Sequence, residues 1–591
     1  MKDIFRIGRE AAEAGAREAR LAALNKAVDA LRNLDRDRDA YLDAARCYEG
    51  LRDYESALKT LRRGVERCPP SARLYRRYIA RLYQANRISE AIESAWEAIL
   101  KFPSDFSFRL QHATLLPILY ADSDEMERYR RRFAEGLREI AEDLRLDTAE
   151  ARRSALQGLD RHHILTLAYQ GQDDREVQTL YSEMVHRIAA ANYPQWVQPM
   201  PMPPDNGRLR VGYVSSRWYN HSVSRTHLGW LEAHSQDRFE VFAYHAGSRT
   251  DDWTEDARRA SAVFRHLPDD MEEACRAIVS DRLHVLVFLE IGRAERMTQL
   301  AALRLAPVQC TTWGDPVTSG LPTVDYYLSG DLMEPEDAQN YYTEKLVRLP
   351  GIGVYLRKPV IPTVGFYRTR ADFGIRDDAV VYLSCQSPAK YLPQHDDVFP
   401  AIAKLVPGSQ FVFIARNDAL RHVLQRRLER AFSSAGVPIS GRVVFVPRLD
   451  TFNYWNLNVV SDIYLDTMDW SGCNSTLDAI ACKLPVVTLP GRFMRGRHSS
   501  AILTQAGATE TIARDPSGYV GIAAKLGLDR DWRERIVRRL IAGYPTLYAD
   551  ERCVRALEDF YRDAVNERRT NPNATAAPTV RWTTTIDPAP G

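Results

Sequence analysis

Cysteine is scarce and scattered in this chain of 591 residues. The eight (Cys47, Cys68, Cys275, Cys310, Cys385, Cys473, Cys482 and Cys553) include no CxxC pair and no His-Cys grouping at metal-ligand spacing. That pattern excludes a zinc ribbon and a disulfide framework, and it points to a cytoplasmic protein. Charge of one sign is also lacking: 80 Lys and Arg stand against 78 Asp and Glu, a formal net charge of +2, and the charges are dispersed rather than blocked. No global basic field therefore argues for nucleic acid. The opening residues, MKDIFRIGREAAEAGAREARLAAL, are charged throughout, so neither a signal peptide nor a membrane span is expected there. What remains is a long, balanced, globular composition, too large for one core and sized for three or four units.

The first unit shows itself by a repeat. Tyr41, Ala44, Ala45, Tyr48, Tyr54, Ala57, Leu61, Gly64 and Pro69 are followed by Tyr75, Tyr78, Ile79, Leu82, Ile88, Ala91, Ala95, Ala98 and Pro103, at an offset of 34 residues. This is the period of tetratricopeptide helix pairs, in which small residues sit at the closest helix contacts and a proline ends the second helix. Another step back lands on Ile7, Ala11, Ala14, Ala23 and Ala30, a weaker first repeat. Residues 1–104 are therefore assigned to repeats. A helical period without the signature continues over 105–191. His162 and His163 within it are adjacent, so they point apart on a helix and lack a third ligand, which argues against a metal. The proline-rich stretch at 192–207 then forbids helix and marks a stiff linker.

Beyond the linker the period changes from helix to strand. LRVGYVS, FEVFAYHA, HVLVFLE, PVQCTTWG and VDYYLSG alternate with helical spans over 208–360. VVYLSC, QFVFIA, RVVFVP, DIYLDT and LPVVTLP do the same over 361–545. Runs apolar on both faces between helices predict parallel sheets covered on both sides, hence two successive doubly wound domains with a cleft between facing strand ends. A helix over 546–569 and a tail without a core over 570–591 complete the chain.

Three segments carry the chemistry: SCQSPAKYLP at 384–393, DWSGCNSTLDAIA at 469–481 and PGRFMRGRHSS at 490–500. Each follows an apolar run, which puts it at the carboxyl end of a parallel strand, where open α/β sheets hold ligands. Ser471, Gly472, Asn474, Ser475 and Thr476 at a helix start leave backbone N–H groups free for an anion, and Lys390, Arg495, Arg497 and His498 add cationic or proton-donating groups. An activated donor with a phosphate leaving group fits this set. Arg495, Arg497 and His498 suit either a phosphate or a carboxylate on that donor.

These segments, together with LRVGYVSS (209–216), NHS (220–222), RLAPVQCTTWGDPVTSGLPTVDYYLS, YTEKLVRLP and LPVVTLPG, resemble the protein O-linked N-acetylglucosaminyltransferase and SPINDLY group, in which tetratricopeptide repeats precede a GT-B catalytic half. The resemblance implies an α plus α/β fold, a repeat solenoid followed by two Rossmann-like domains. It implies that Lys390 binds the donor diphosphate, with Gln386 hydrogen-bonded to the same phosphates, and that Asn474, Ser475 and Thr476 present a helix terminus to it. Asp478 would accept the ribose hydroxyls. His221 would be either a general base for the acceptor hydroxyl or a group that only orients it. Gly314 and Pro316, with Thr318, Ser319 and Gly320, match a loop that faces the sugar, and Tyr454 and Arg448 complete the donor-binding set. Val263, Thr451, Tyr454 and Asp315 depart from the animal enzyme, so base and sugar reading differ while phosphate binding is kept.

The function implied is an inverting, metal-independent protein O-glycosyltransferase without a cofactor, moving a sugar from a nucleotide-sugar to Ser or Thr of a protein acceptor. The repeats would recruit that acceptor, with flagellin the first candidate. UDP-N-acetylglucosamine, GDP-fucose and a CMP-linked nonulosonic acid stand as alternative donors. A scaffold with an inactive catalytic half and a sugar-nucleotide epimerase are the readings from other classes.

Overall fold

Small residues at every closest approach decide how the first helices stack. A computed structural model describes residues 36–159, 164–292, 294–359 and 368–571, with shorter stretches at 18–19, 21–22, 25 and 580–581. It divides into two compact units, 1–118 and 119–591. In the first, the helices Arg38–Gly50, Tyr54–Arg67, Ala72–Gln84, Ile88–Lys101 and Phe106–Thr114 pack consecutively. Tyr41, Ala57, Leu61, Leu74, Tyr75, Ile79, Leu82, Ala91, Ala95 and Ala98 form their shared core. A Cβ on Gly64 would lie 3.0 Å from Tyr41 Cβ and Cγ, so glycine is what lets the first two helices close. The turn inside each helix pair repeats as well: Arg52 and Asn86, 34 residues apart, both take left-handed φ values of 64° and 58°. The repeat expected over Ile7 to Ala30 lies outside the described residues. Phe106–Thr114 belongs to this unit rather than to the following extension, because Phe108 enters the core and stacks on Phe102 at 5.8 Å.

In the second unit, the helices Ser123–Glu142, Ala149–Leu159 and Arg175–Asn192 precede the sheets, and His162 and His163 lie outside the described residues. The first sheet comprises β1 (Leu209–Ser215), β2 (Phe239–His245), β3 (Val263–His266), β4 (Val285–Phe288), β5 (Val308–Thr312), β6 (Tyr326–Gly330) and β7 (Lys345–Leu349). The second comprises β8 (Val380–Ser384), β9 (Ser409–Ala415), β10 (Val443–Pro447), β11 (Ile463–Leu465) and β12 (Val486–Val487). Every pairing is parallel, as the doubly apolar runs require. Two strands went unread in the sequence: β3, an edge strand with only half-buried and exposed residues, and β7, whose run is short and interrupted by Arg348. Of the tail, Thr570 ends the last helix, Val580–Arg581 is described as β13, a two-residue strand beside β7, and 572–579 and 582–591 lie outside the described residues.

The strand order places the site. The first sheet runs β13-β7-β6-β5-β4-β1-β2-β3 and the second β10-β9-β8-β11-β12. The connections reverse direction between β4 and β1 in one and between β8 and β11 in the other, and a crevice opens at the carboxyl ends at such a point. His221 follows β1, Lys390 follows β8 and the turn at 471–476 follows β11, so all three come from the strands that flank the two switch points. Among the described residues no helix is long and apolar enough to cross a membrane.

The last helix, Glu551–Thr570, returns to the first sheet. Glu558, 0% exposed, accepts from Ser235 N at 2.7 Å and Arg238 at 2.6 Å, pairs with Arg555 at 2.8 Å and meets His234 Nδ1 at 3.2 Å. Burial opposes its ionisation, but the His234 and Ser235 contacts and Arg555 outweigh that and pull the carboxyl down to about 2. A carboxyl whose folded value is depressed stabilises the native state above its unfolded value, and that contribution is lost as pH falls through the folded one. Glu558→Gln should therefore cost about 1–3 kcal/mol at neutral pH, reduced by the partly exposed arginines. In urea titrations the gap between variant and wild type should close as pH falls from about 4 to 2.

Candidate nucleotide-sugar cleft

The turn after β11 is built to bring a helix start close to β8. Gly472 has no room for a side chain: a Cβ there would lie 2.6 Å from Ser475 Oγ and Thr476 Oγ1 and 2.7 Å from Gln386 Nε2. Its N–H donates to Asp466 Oδ1 at 2.6 Å, and Thr488 Oγ1 donates to Asp466 Oδ2 at 2.8 Å. Burial pushes the Asp466 carboxyl up to about 6. The helix Asn474–Ala481 then begins at Cys473, which supplies no side-chain cap. Its first-turn N–H groups have no acceptor within the helix, and the positive end of its dipole faces the crevice mouth.

Lys390 stands over this turn. Its Nζ donates to the Ser471 carbonyl at 3.0 Å and to Gln386 Oε1 at 2.8 Å, while Gln386 Nε2 donates to Ser475 Oγ at 2.9 Å and to Tyr464 OH. Lys390, Gln386 and Ser475 thus form one hydrogen-bonded patch with Asn474 beside them. Thr476 joins through its backbone only, since its hydroxyl is spent on Ser499 Oγ at 2.7 Å. Tyr454 comes in from the helix Thr451–Val460, its hydroxyl 3.3 Å from Cys385 Sγ. Arg448 does not join: it is exposed just past β10, which β9 separates from β8.

Asp478 and the 490–500 segment differ from expectation. Asp478 is gripped by Arg225 at 2.8 Å, a residue of the helix Ser222–Ala233, so an ion pair joins the two sheets' domains where a ribose acceptor was expected. Arg495, expected to read an anion, is a buried strut. It pairs with Asp174 at 3.1 Å and donates to Gln172 O at 2.5 Å, while Arg130 takes the other Asp174 oxygen at 2.9 Å. Arg497 donates to Gly491 O at 3.2 Å. His498 is buried with Nδ1 3.0 Å from Met333 Sδ, and burial, with the Lys390 charge in second place, pushes its pKa down to about 3. It is neutral.

The helical extension supports the donor turn. Tyr169 stacks on Trp470 at 4.0 Å and 11°, and a Cβ on Gly171 would lie 2.9 Å from Asp469 Cβ. Asp469 itself is held in a left-handed conformation, φ 64°, with His395 Nε2 at 2.7 Å from its carboxylate.

Across the cleft, His221 is the N-cap of Ser222–Ala233, its Nδ1 accepting from Val223 N at 3.2 Å. The loop after β5 serves its own fold: Glu344 holds Thr318 Oγ1 at 2.6 Å and Ser319 N at 2.7 Å, Gly314 lies against the Leu289 carbonyl and Pro316 lines a small cavity with Asp174 and Arg495.

The family profile of glycosyl transferase family 41 matches residues 144–354 and 360–544, taking in much of the extension as well as both sheets. The chain belongs to glycosyl transferase family 41. A tetratricopeptide-repeat profile matches 38–81. Among curated relatives, the "probable UDP-N-acetylglucosamine--peptide N-acetylglucosaminyltransferase SPINDLY" of Arabidopsis thaliana is 29% identical over 370 residues, 60% of this chain and 39% of the relative. The corresponding SEC protein of the same plant is 25% identical over 365 residues, 60% and 37% of the two chains. The chain thus spans about two fifths of the length of these relatives. A solved mutant of the Thermobaculum terrenum O-GlcNAc transferase has the same fold, with a TM-score of 0.64 at 23% identity over 94% of this chain and 99% of that one.

Removing Asp174 leaves the buried Arg495 guanidinium and the half-buried Arg130 without their counter-ion. Asp174→Ala should cost about 3–5 kcal/mol in chemical denaturation, and nucleotide affinity should fall with it because Arg495 carries the backbone oxygen that Ser471 N binds at 2.8 Å.

Proposed function

We propose that the chain is an inverting protein O-glycosyltransferase that moves a sugar from a nucleotide-sugar to a Ser or Thr hydroxyl. The observation that carries this reading is the Lys390 ammonium held 3.0 Å from the Ser471 carbonyl, one turn from an uncapped helix start. As the acceptor oxygen bonds to the anomeric carbon, the bond from that carbon to the phosphate oxygen breaks and its electron pair stays on the phosphate. A fixed ammonium and aligned N–H dipoles stabilise that growing charge more than they stabilise the bound donor. They do the work that a divalent cation does in other sites. With His221 Nδ1 committed to Val223 N, the acceptor's proton passes to a donor phosphate oxygen, and His221 orients the hydroxyl.

The repeat unit recruits the acceptor protein, and flagellin is the first to test. Family membership favours UDP-N-acetylglucosamine as donor, with GDP-fucose and a CMP-linked nonulosonic acid to be tested beside it. Thermal stabilisation by a panel of UDP-, GDP- and CMP-sugars identifies the base, since a ligand specific to the native state raises its midpoint. With that donor, Lys390→Met should reduce turnover about 10²- to 10³-fold while circular dichroism stays native. Equal product from both proteins would leave a scaffold in place of an enzyme.

A further inference from the structure

Trp313 is one of the side chains through which the first-sheet domain meets the second. It follows β5, and its ring packs between His227 of the helix Ser222–Ala233 at 5.1 Å and His498 at 5.2 Å. It is 6% exposed, and its indole Nε1 is buried with no hydrogen-bond partner among the described residues. The backbone beside it packs closely on the residue after β4, since a Cβ on the next residue, Gly314, would fall 1.9 Å from the Leu289 carbonyl.

Neither neighbouring imidazole accepts the proton in this structure, although each neutral ring keeps one acceptor nitrogen. His227 Nδ1 is occupied by Thr226 Oγ1 at 2.7 Å and the Val223 carbonyl at 3.2 Å, and its Nε2 faces Thr312 Oγ1 at 3.4 Å. Thr312 Oγ1 donates to the Leu328 carbonyl at 2.9 Å. His498 Nδ1 faces Met333 Sδ. Burial pushes His227 down to about 4 and His498 to about 3, so both rings are neutral and bring no charge to the indole. The residue after His498, Ser499, donates its hydroxyl to the Gly472 carbonyl at 2.9 Å and meets Thr476 Oγ1 at 2.7 Å, which ties this spot to the phosphate end of the cleft. A buried N–H without an acceptor is costly, and a ligand oxygen that completes it recovers that cost.

The geometry points to Trp313 as a specificity-determining residue whose indole N–H donates to an acceptor-only oxygen on the transferred sugar, an acyl carbonyl or a carboxylate. A donor-only group in a dry site is matched best by an oxygen that brings no hydrogen of its own. This role rests on the reading of the cleft as a nucleotide-sugar site.

Trp313→Phe keeps the ring and removes the N–H. Calorimetric affinities of wild type and variant are compared for UDP, GDP and CMP alone, for UDP-N-acetylglucosamine against UDP-glucose as the acyl arm, and for a CMP-linked nonulosonic acid against CMP as the carboxylate arm. The variant should bind the bare nucleotide as the wild type does. In whichever arm the wild type shows a preference, that preference should shrink about 5- to 100-fold. An unchanged preference overturns the role of Trp313 and leaves the cleft assignment standing. Loss of bare-nucleotide binding in the variant alone would make Trp313 a packing residue and overturn the role as well. Failure of the wild type to bind any of the three nucleotides removes the cleft assignment and this role with it.

Discussion

An ammonium ion resting on a backbone carbonyl at the mouth of a helix is the contact from which the rest of this structure can be understood. Lys390 is held by Ser471 O and Gln386 Oε1, and Gln386 is held in turn by Ser475 and Tyr464. The patch is cationic on one side and rich in open N–H groups on the other, which is the arrangement a departing phosphate requires. It exists only because β8 and β11 are neighbours although β9 and β10 lie between them in the chain. Strand order, more than any one side chain, makes the site.

Holding that patch still consumes much of the polar chemistry nearby. Asp466 fixes the turn from below, and the Tyr169–Trp470 stack and the Arg130–Asp174–Arg495 chain fix it from the extension. Arg225 and Asp478 bridge the two domains. Rigid support of this kind reduces the cost of ordering charged groups when a ligand arrives. It also gives the extension a physical role, and the family profile starts within that extension rather than at the first sheet.

Local features of the fold were readable from sequence, and long-range pairings were not. The 34-residue phase and the apolar runs of β1, β2, β4, β5, β6 and β8 to β12 are local patterns, and Lys390 and the 471–476 turn announced themselves because an apolar run led into small and polar residues. Arg495 was misread because its counter-ion is 321 residues away. A loop arginine beside phenylalanine looks like an anion reader until Asp174 is seen across from it. Arg225 gave no signal for the same reason, since its partner Asp478 is 253 residues on. Trp313 read as the end of a strand, and only packing shows its N–H without an acceptor.

The most direct test of the central claim is a crystal structure with a nucleoside diphosphate bound. The account predicts phosphate oxygens within hydrogen-bond distance of Lys390 Nζ and of the backbone N–H groups of Asn474, Ser475 and Thr476, with the base toward Tyr454. A diphosphate bound elsewhere on the molecule, or bound in the cleft with Lys390 turned away from it, would contradict it.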